Sequence, residues 1–397
     1  MEIKRILMIG PVDFSKEYGP KVHFSNLLKE FVRLGFTVSC LVYAPEGEIV
    51  DSIDKNFSVN FSPNPLIGNL FLRVFKYLLL IPVILWHFFK FTPHIVYFRF
   101  SPPAFLYLLF LNLFKIFPYK FKILLEFNAW APEERRIQGE RKLKVKLIKF
   151  LQVKSAFFSD SIRVVAPGIK EKLVISGVKN KKITVIENGT DINHFKPIKK
   201  NEAKEKIGLN PAYLYVGFIG NFAVWQGLDY LVRAIPKVLK AYANVRFLLV
   251  GDGPEMPKIK KAISKFEKGK VILTGSVPYR KANLYINAFD IGVAPFIKKR
   301  NDGMVSPMKI RDYAACGIPF VTTKIRGLEM VEEKDIGILV PPDNPDALSD
   351  AILKLVENRG LRNAMGEKGR RVAEQEFSWE KVAGQILDRI GNLTIQK

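Results

Sequence analysis

The sequence predicts an α/β protein built from two Rossmann-like, doubly wound parallel-sheet domains that face each other across a cleft. Three observations carry this. Short apolar runs alternate with longer patterns of helical spacing, which implies parallel strands joined by crossover helices. The alternation breaks at a polar stretch, Asn193–Glu205, and then starts again. In the second half, glycine-containing loops follow one apolar run after another, and in open α/β sheets ligands bind at that carboxyl edge.

The first half reads in order as strand Ile6–Gly10, helix Lys21–Leu34 ended by Gly35, strand Thr37–Tyr43, strands His94–Phe100 and Lys122–Phe127, then Ile162–Val165 and Ile183–Glu187. Two very apolar segments lie between them, 66–91 and 104–117. The first is broken by Arg73, Lys76, Pro82 and His87, and the second by Asn112 and Lys115. Neither supplies the roughly 18–20 uninterrupted apolar residues that a span requires, so both are expected as helices buried against the sheet. The second half gives strands Tyr213–Ile219, Val245–Val250, Val271–Thr274, Ile291–Ala294, Pro319–Thr323 and Ile338–Val340. Helices Leu228–Leu239, Met256–Phe266, Lys281–Ala288, Pro307–Cys316 and Asp346–Asn358 lie between or beyond them. Two similar halves imply a cleft in which a ligand binds.

Composition narrows the function. The 397 residues suffice for two domains, and 48% hydrophobic content suffices for packed cores. Cys40 and Cys316 stand alone, so there is neither a disulfide framework nor a zinc site, which fits a reducing cytoplasm. The start of the chain lacks the layout of a signal peptide. The net charge of +24 calls for an anionic partner. The basic residues are spread out and coexist with Phe-rich segments, and no nucleic-acid-binding motif is present. That favours anionic lipid or a phosphorylated small molecule over nucleic acid.

Ser306–Pro319 carries the sharpest chemical signal. Ser306 is expected to cap a helix and Pro307 to occupy its first position; Gly317 and Pro319 are expected to end it. The helix start offers N–H groups to a phosphate, Lys309 lies in the first turn, and Asp312 follows on the same face. Two readings of these residues stand side by side: an ordinary capped helix on a sheet, or a cradle with diphosphate at the helix end and ribose hydroxyls on the carboxylate. Other loops reach the same sheet edge: Gly217–Gly227 with Trp225 and Gln226, Val250–Pro254, and Gly275–Pro278. The loop Gly10–Pro20 after the first strand lacks the G-x-G-x-x-G order, so hydride chemistry is not indicated.

These segments together resemble the retaining glycosyltransferases of glycosyltransferase family 4, with the GT-B architecture. The hinge Val185-Ile-Glu-Asn-Gly-Thr-Asp191 with Phe195 and Pro197, the donor-phosphate loop Val216–Gly227, the strand and loop Leu249–Pro254, and Ala288–Pro295 all match family segments. The resemblance implies an N-terminal acceptor domain (1–194), a C-terminal donor domain (195–376) and a final helix (377–397) packing back on the first. It implies a donor site drawn from Gly19, Pro20, Asn221, Gln226, Gly253, Val277, Gly303, Met304, Val305, Ser306, Pro307, Met308, Lys309 and Asp312. Asn221 and Gln226 replace the family's Arg and Lys, which shifts diphosphate contact toward Lys309 and the backbone of Ser306–Lys309. Of the paired carboxylates eight positions apart, Asp312 is present and Met304 replaces the other. Sugar contact then falls to the backbone of Gly303–Val305 or to Asp302.

The family's histidine near the reacting carbon is absent; Glu126 or Asn128 takes that place, and with Lys309 these are the candidate catalytic residues. His23 is expected to be structural. No Asp-x-Asp triplet occurs, so a metal on the donor phosphate lacks its usual ligands, and no cofactor is implied. The resemblance further implies retention at the anomeric carbon, the departing phosphate oxygen taking the acceptor proton. Glu133–Lys154 reads as a basic amphipathic helix, with two readings side by side: a solvated surface helix, or one that lies on an anionic membrane. The expected location is cytoplasmic, with the second reading adding peripheral contact on the inner face of the cell membrane, and the expected acceptor is a glycan or lipid-linked sugar. Two alternatives remain open: a nucleotide-sugar epimerase or hydrolase of the same architecture, and a charge-driven nucleic-acid-binding protein.

Overall fold

A computed structural model describes residues 4–14, 19–43, 57–62, 70–116, 120–301 and 303–395. The chain divides into two compact units, Met1–Glu187 with Trp379–Lys397, and Asn188–Ser378. The first division falls earlier than the polar stretch suggests. Its cause is local: Asn188 and Thr190 bond to Ser306 and Asp312 and so belong with the second unit.

In the first unit, β1 (Arg5–Asp13), β2 (Thr37–Tyr43), β3 (Phe57–Ser62), β4 (Ile95–Arg99), β5 (Lys122–Phe127), β6 (Ser161–Val164) and β7 (Ile183–Val185) form a seven-stranded sheet in the order β3-β2-β1-β4-β5-β6-β7. All its pairings are parallel; Ile6, for example, lies opposite Val38 on one side and Ile95 on the other. Sequence reading missed β3, although Phe57, Val59 and Phe61 alternate there. The final helix Trp379–Ile395 packs on helix Gly19–Arg33, with Trp379 edge-on to His23 at 4.8 Å.

The apolar segments are helical, Leu70–Phe91 and Ala104–Leu113, but they are buried on one side only. Leu80, Ile84 and Phe88 face inward, whereas Leu79, Trp86 and Phe89 are exposed. The expected burial against the sheet thus holds for the inner stripe of each helix and not for the outer one. A helix laid on one face of a sheet has only its inner stripe covered. Residues 66–69 and 117 lie outside the described residues. Among the described residues no helix is long and apolar enough to cross a membrane.

In the second unit, β8 (Leu214–Ile219), β9 (Val245–Val250), β10 (Val271–Gly275), β11 (Ile291–Ala294), β12 (Phe320–Thr323) and β13 (Gly337–Val340) form a six-stranded parallel sheet in the order β10-β9-β8-β11-β12-β13. The order reverses between β8 and β11. The carboxyl ends of those two strands are therefore the topological switch point of this unit. Two glycines let aromatic rings lie flat on these strands. A Cβ at Gly217 would meet the Phe289 ring at 2.0 Å, and one at Gly292 would meet the Tyr313 ring at 2.7 Å. Tyr313 accepts a hydrogen bond from the Ile219 amide at 3.2 Å and donates to the Val293 carbonyl at 3.3 Å. Its helix, Met308–Ala315, is thereby fixed with its first turn at the switch point.

Candidate functional site

The helix Met308–Ala315 ends as its sequence demands. Gly317 takes φ +68°, its amide bonds the Ala314 carbonyl, and the Ile318 amide bonds the Tyr313 carbonyl, both at 2.9 Å. This double bond pattern with an apolar residue just beyond is a Schellman ending. The start differs from expectation. Pro307 is the cap residue, and among the described residues no side chain caps the helix. The Ser306 hydroxyl instead accepts the Asn188 amide at 2.9 Å, because the hinge chain runs beside it. The correction leaves the first turn without a capping oxygen, which strengthens its character as an anion-binding end.

Lys309 sits in that first turn. Its Nζ donates to Gln226 Oε1 at 2.8 Å and lies 3.6 Å from the centre of the Phe218 ring. Burial pushes its pKa well below the ordinary lysine range, with Asp312 pulling weakly the other way. Among the described residues no carboxylate pairs with Lys309 within ion-pair distance, and a desolvated ammonium so placed is the electrostatic complement of a phosphate. Asp312, one turn on, accepts the Thr190 hydroxyl at 2.6 Å. Burial raises its pKa to about 7, against the opposing hydrogen bond from Thr190 and the charge of Arg311. Arg311 is buried behind the helix start, donates to the Pro307 carbonyl and packs over Phe377.

The neighbouring loops close on this turn. A Cβ at Gly220 would come 3.0 Å from Lys309 Nζ. Gly251 lies so close to the Gly220 carbonyl that a Cβ would meet its oxygen at 1.9 Å, and both glycines have positive φ. Asn221 places its Oδ1 where a Cβ on Gly253 would be, 2.2 Å away. Gly303 takes φ +69°, with its amide on the Arg326 carbonyl at 2.8 Å. Met304, Pro307 and Met308 are half-buried beside the turn, and Val305 and Val277 pack on the core that contains Tyr313. Asp302 lies outside the described residues. The structure thus draws Asn221, Gln226, Gly253 and 303–312 to one sheet edge, while Val277 faces the core. Sequence reading missed the roles of Asn188 and Thr190, although it quoted the Asn188-Gly-Thr190 segment. A cavity of about 860 Å³ opens elsewhere, at the amino edge of this sheet between Lys200, Asp290 and Arg362, and none of the expected site residues lines it.

Gly19, Pro20, Glu126 and Asn128 belong to the first unit. Gly19 and Pro20 open its first helix, just after the undescribed residues 15–18. Glu126 has no exposed surface. It accepts from Arg163 at 2.5 Å, from His23 at 3.0 Å, and from Tyr97 and Asn128. Burial works to raise its pKa, but the hydrogen bond from His23 and the guanidinium charges of Arg163 and Arg99 hold it well below the usual carboxylate range. His23 is pushed by burial down to about 4 and is a neutral, structural ring at physiological pH. The reading of Glu126 as a group that touches substrate is corrected on this geometry: its oxygens are enclosed by the chain's own donors. It anchors half-buried Asn128, while Arg163 also donates to the Ile186 and Glu187 carbonyls at the end of β7.

Two α/β units, each built on a parallel sheet, are the architecture of the GT-B glycosyltransferases. The family comparisons add the particulars. A model described as Glycosyltransferase Family 4 matches residues 19–194, and one described as Glycosyl transferases group 1 matches 214–358. The chain belongs to the family 4 glycosyltransferases. It is similar to an uncharacterised glycosyltransferase of Methanocaldococcus jannaschii, 31% identical over 56% of this chain and 57% of that one. It is also similar to the GDP-mannose-dependent monoacylated alpha-(1-6)-phosphatidylinositol monomannoside mannosyltransferase of Corynebacterium glutamicum, 26% identical over 52% of this chain and 55% of that one. The chain thus spans little more than half the length of each of these curated relatives. Its fold matches the solved sucrose-phosphate synthase of Thermosynechococcus elongatus with a TM-score of 0.81, over 99% of this chain and all of that one, at 18% identity.

Proposed function

We propose that the chain transfers a sugar from a nucleotide-diphosphate sugar to a glycan or lipid-linked acceptor, with retention at the anomeric carbon, in the synthesis of cell-surface polysaccharide or glycolipid. One observation carries the donor side: Lys309, the uncapped first turn of its helix and Asp312 stand together at the switch point of the second sheet. In this reading the diphosphate lies on the helix end and Lys309, and the ribose hydroxyls donate to Asp312. Gln226 and Asn221 line the phosphate side with Gly253 behind, and the backbone of Gly303–Val305 faces the sugar. On the first unit, Gly19 and Pro20 serve the donor and Asn128 the reacting carbon, with Glu126 as its positioning residue.

Negative charge develops on the departing diphosphate as the glycosidic bond breaks. A fixed cation and helix dipole aimed at that position stabilise it without a metal ion. The departing phosphate oxygen takes the acceptor's proton. The acylated phosphatidylinositol mannoside in the name of the corynebacterial relative supports a lipid-linked acceptor. The stretch Glu133–Lys154, expected as one helix, is two, Ala131–Ile137 and Lys142–Phe157, parted at Gly139 with φ +76°; contact of the second with the inner face of an anionic membrane would bring the enzyme to such an acceptor.

A thermal-shift panel of UDP, GDP, ADP and their sugars tests this. One base is expected to raise the midpoint. A ligand at about a hundred times its Kd adds about 2.7 kcal/mol of stability. A flat response to every member contradicts the donor site.

A further inference from the structure

We propose that three helices of the first unit form one membrane-seated surface: Leu70–Phe91, Ala104–Leu113 with the turn Phe114–Ile116, and Lys142–Phe157. The occupant is the face of a bilayer with anionic headgroups. This deepens the membrane contact proposed above, and rests on it, by extending it from one basic helix to a three-helix raft with inserted apolar side chains.

Helix Lys142–Phe157 has a buried face and, opposite it, an exposed apolar one. Ile148, Gln152, Ser155 and Ala156 are buried toward the unit. On the far side Leu143, Leu147, Phe150 and Phe157 form a second stripe at spacings of four, three and seven, and all are exposed, Leu143 at 80%. Lys142, Lys144, Lys146 and Lys149 are exposed around this stripe, and Lys154 lies within it, near the Phe150 and Phe157 rings. A surface helix of a protein that meets only water does not need the outer stripe.

The other two helices continue the surface. Phe105 packs beside Phe150 at 6.3 Å, and Phe114 beside Phe89 at 4.9 Å. The Tyr107 hydroxyl donates to the Tyr77 carbonyl. Leu79, Trp86 and Phe89 run along the outside of Leu70–Phe91, with Trp86 at 56% exposure, and Lys90 covers the Trp86 ring at 4.6 Å. Leu113 and Ile116 are exposed beyond them. None of the three segments contains an Asp or Glu.

Charge chooses the occupant. A second copy of the chain would bring two acid-free, lysine-rich faces together, and like charges in contact oppose that pairing. An anionic bilayer accepts both components: leucines, phenylalanines and Trp86 enter the interface, and the lysines remain at headgroup level. A contact that rests on lysines at headgroup level depends on salt.

The test is flotation of the full chain with phosphatidylcholine vesicles and with mixed phosphatidylcholine/phosphatidylglycerol vesicles. Binding is expected to the mixed vesicles and to fall at least tenfold in half-molar salt. The exposed pairs Trp86→Ser/Phe89→Ser and Leu147→Ser/Phe150→Ser should each weaken it about tenfold, while the thermal shift given by a nucleoside diphosphate stays as in the parent. If Lys142→Glu/Lys146→Glu/Lys149→Glu abolishes binding but the Trp86/Phe89 pair floats like the parent, the raft is refuted and the single basic helix stands. Flotation with neither vesicle overturns both. A concentration-dependent dimer that the Leu147/Phe150 pair dissolves assigns the surface to a second copy and overturns the proposal.

Discussion

Lys309→Ala should reduce the rate at which nucleoside diphosphate leaves a bound nucleotide sugar by about a hundred- to a thousandfold, the usual effect of removing one preorganised electrostatic group. The reason lies in how Lys309 is held. Lys309 is held over Phe218 and against Gln226, where burial disfavours its charge. The cost of desolvating that charge is met by folding before any ligand arrives. The developing negative charge of the departing diphosphate is then met by a cation that need not reorganise. The same variant should fold normally, since it removes a charge that the interior tolerates poorly. The measurement is diphosphate release with the nucleotide sugar that gives the largest thermal shift, together with the melting temperature. A rate within twofold of the parent would remove Lys309 from the mechanism.

Asp312→Ala should lower nucleotide affinity by about ten- to a hundredfold, the worth of hydrogen bonds to a charged acceptor. A pH signature accompanies it. Burial holds the Asp312 carboxyl at about 7, against an ordinary 3.8. Ribose hydroxyls bind the carboxylate better than the acid, so titration calorimetry should show parent affinity rising from pH 6 to pH 8. The Asp312→Asn variant should lack that rise. Stability moves the other way. Between pH 3.8 and 7 the folded chain keeps a proton that the unfolded chain has lost. The contribution is fully present below pH 3.8 and is lost as pH rises through 7. Equal affinities of parent and Asp312→Ala across this range would refute the ribose role.

Much of this was legible from sequence because it rests on local chemistry. The glycine loops, the Gly317–Pro319 helix stop and the Lys309/Asp312 spacing each depend on residues a few positions apart. What escaped depends on distant partners. Ser306 reads as a helix cap until Asn188, 118 positions away, is seen to take its hydroxyl. Glu126 reads as a catalytic candidate until Arg163 and His23, 37 and 103 positions away, are seen to enclose it. Strand β3 escaped because its alternation is short and polar at every second residue. The outward stripes on the first unit's helices escaped for another reason. Periodicity shows that a helix has two apolar faces but not that only one of them is covered.

The central claim is that a nucleotide sugar binds at the switch point of the second sheet, across the first turn of Met308–Ala315. Amide hydrogen exchange of the full chain, with and without the nucleotide sugar selected by the thermal-shift panel, tests it most directly. Slowed exchange is expected in 219–227 and 303–312, with little change around Lys200, Asp290 and Arg362 at the opposite edge. Protection confined to that opposite edge, with 303–312 exchanging as in the free protein, would contradict it.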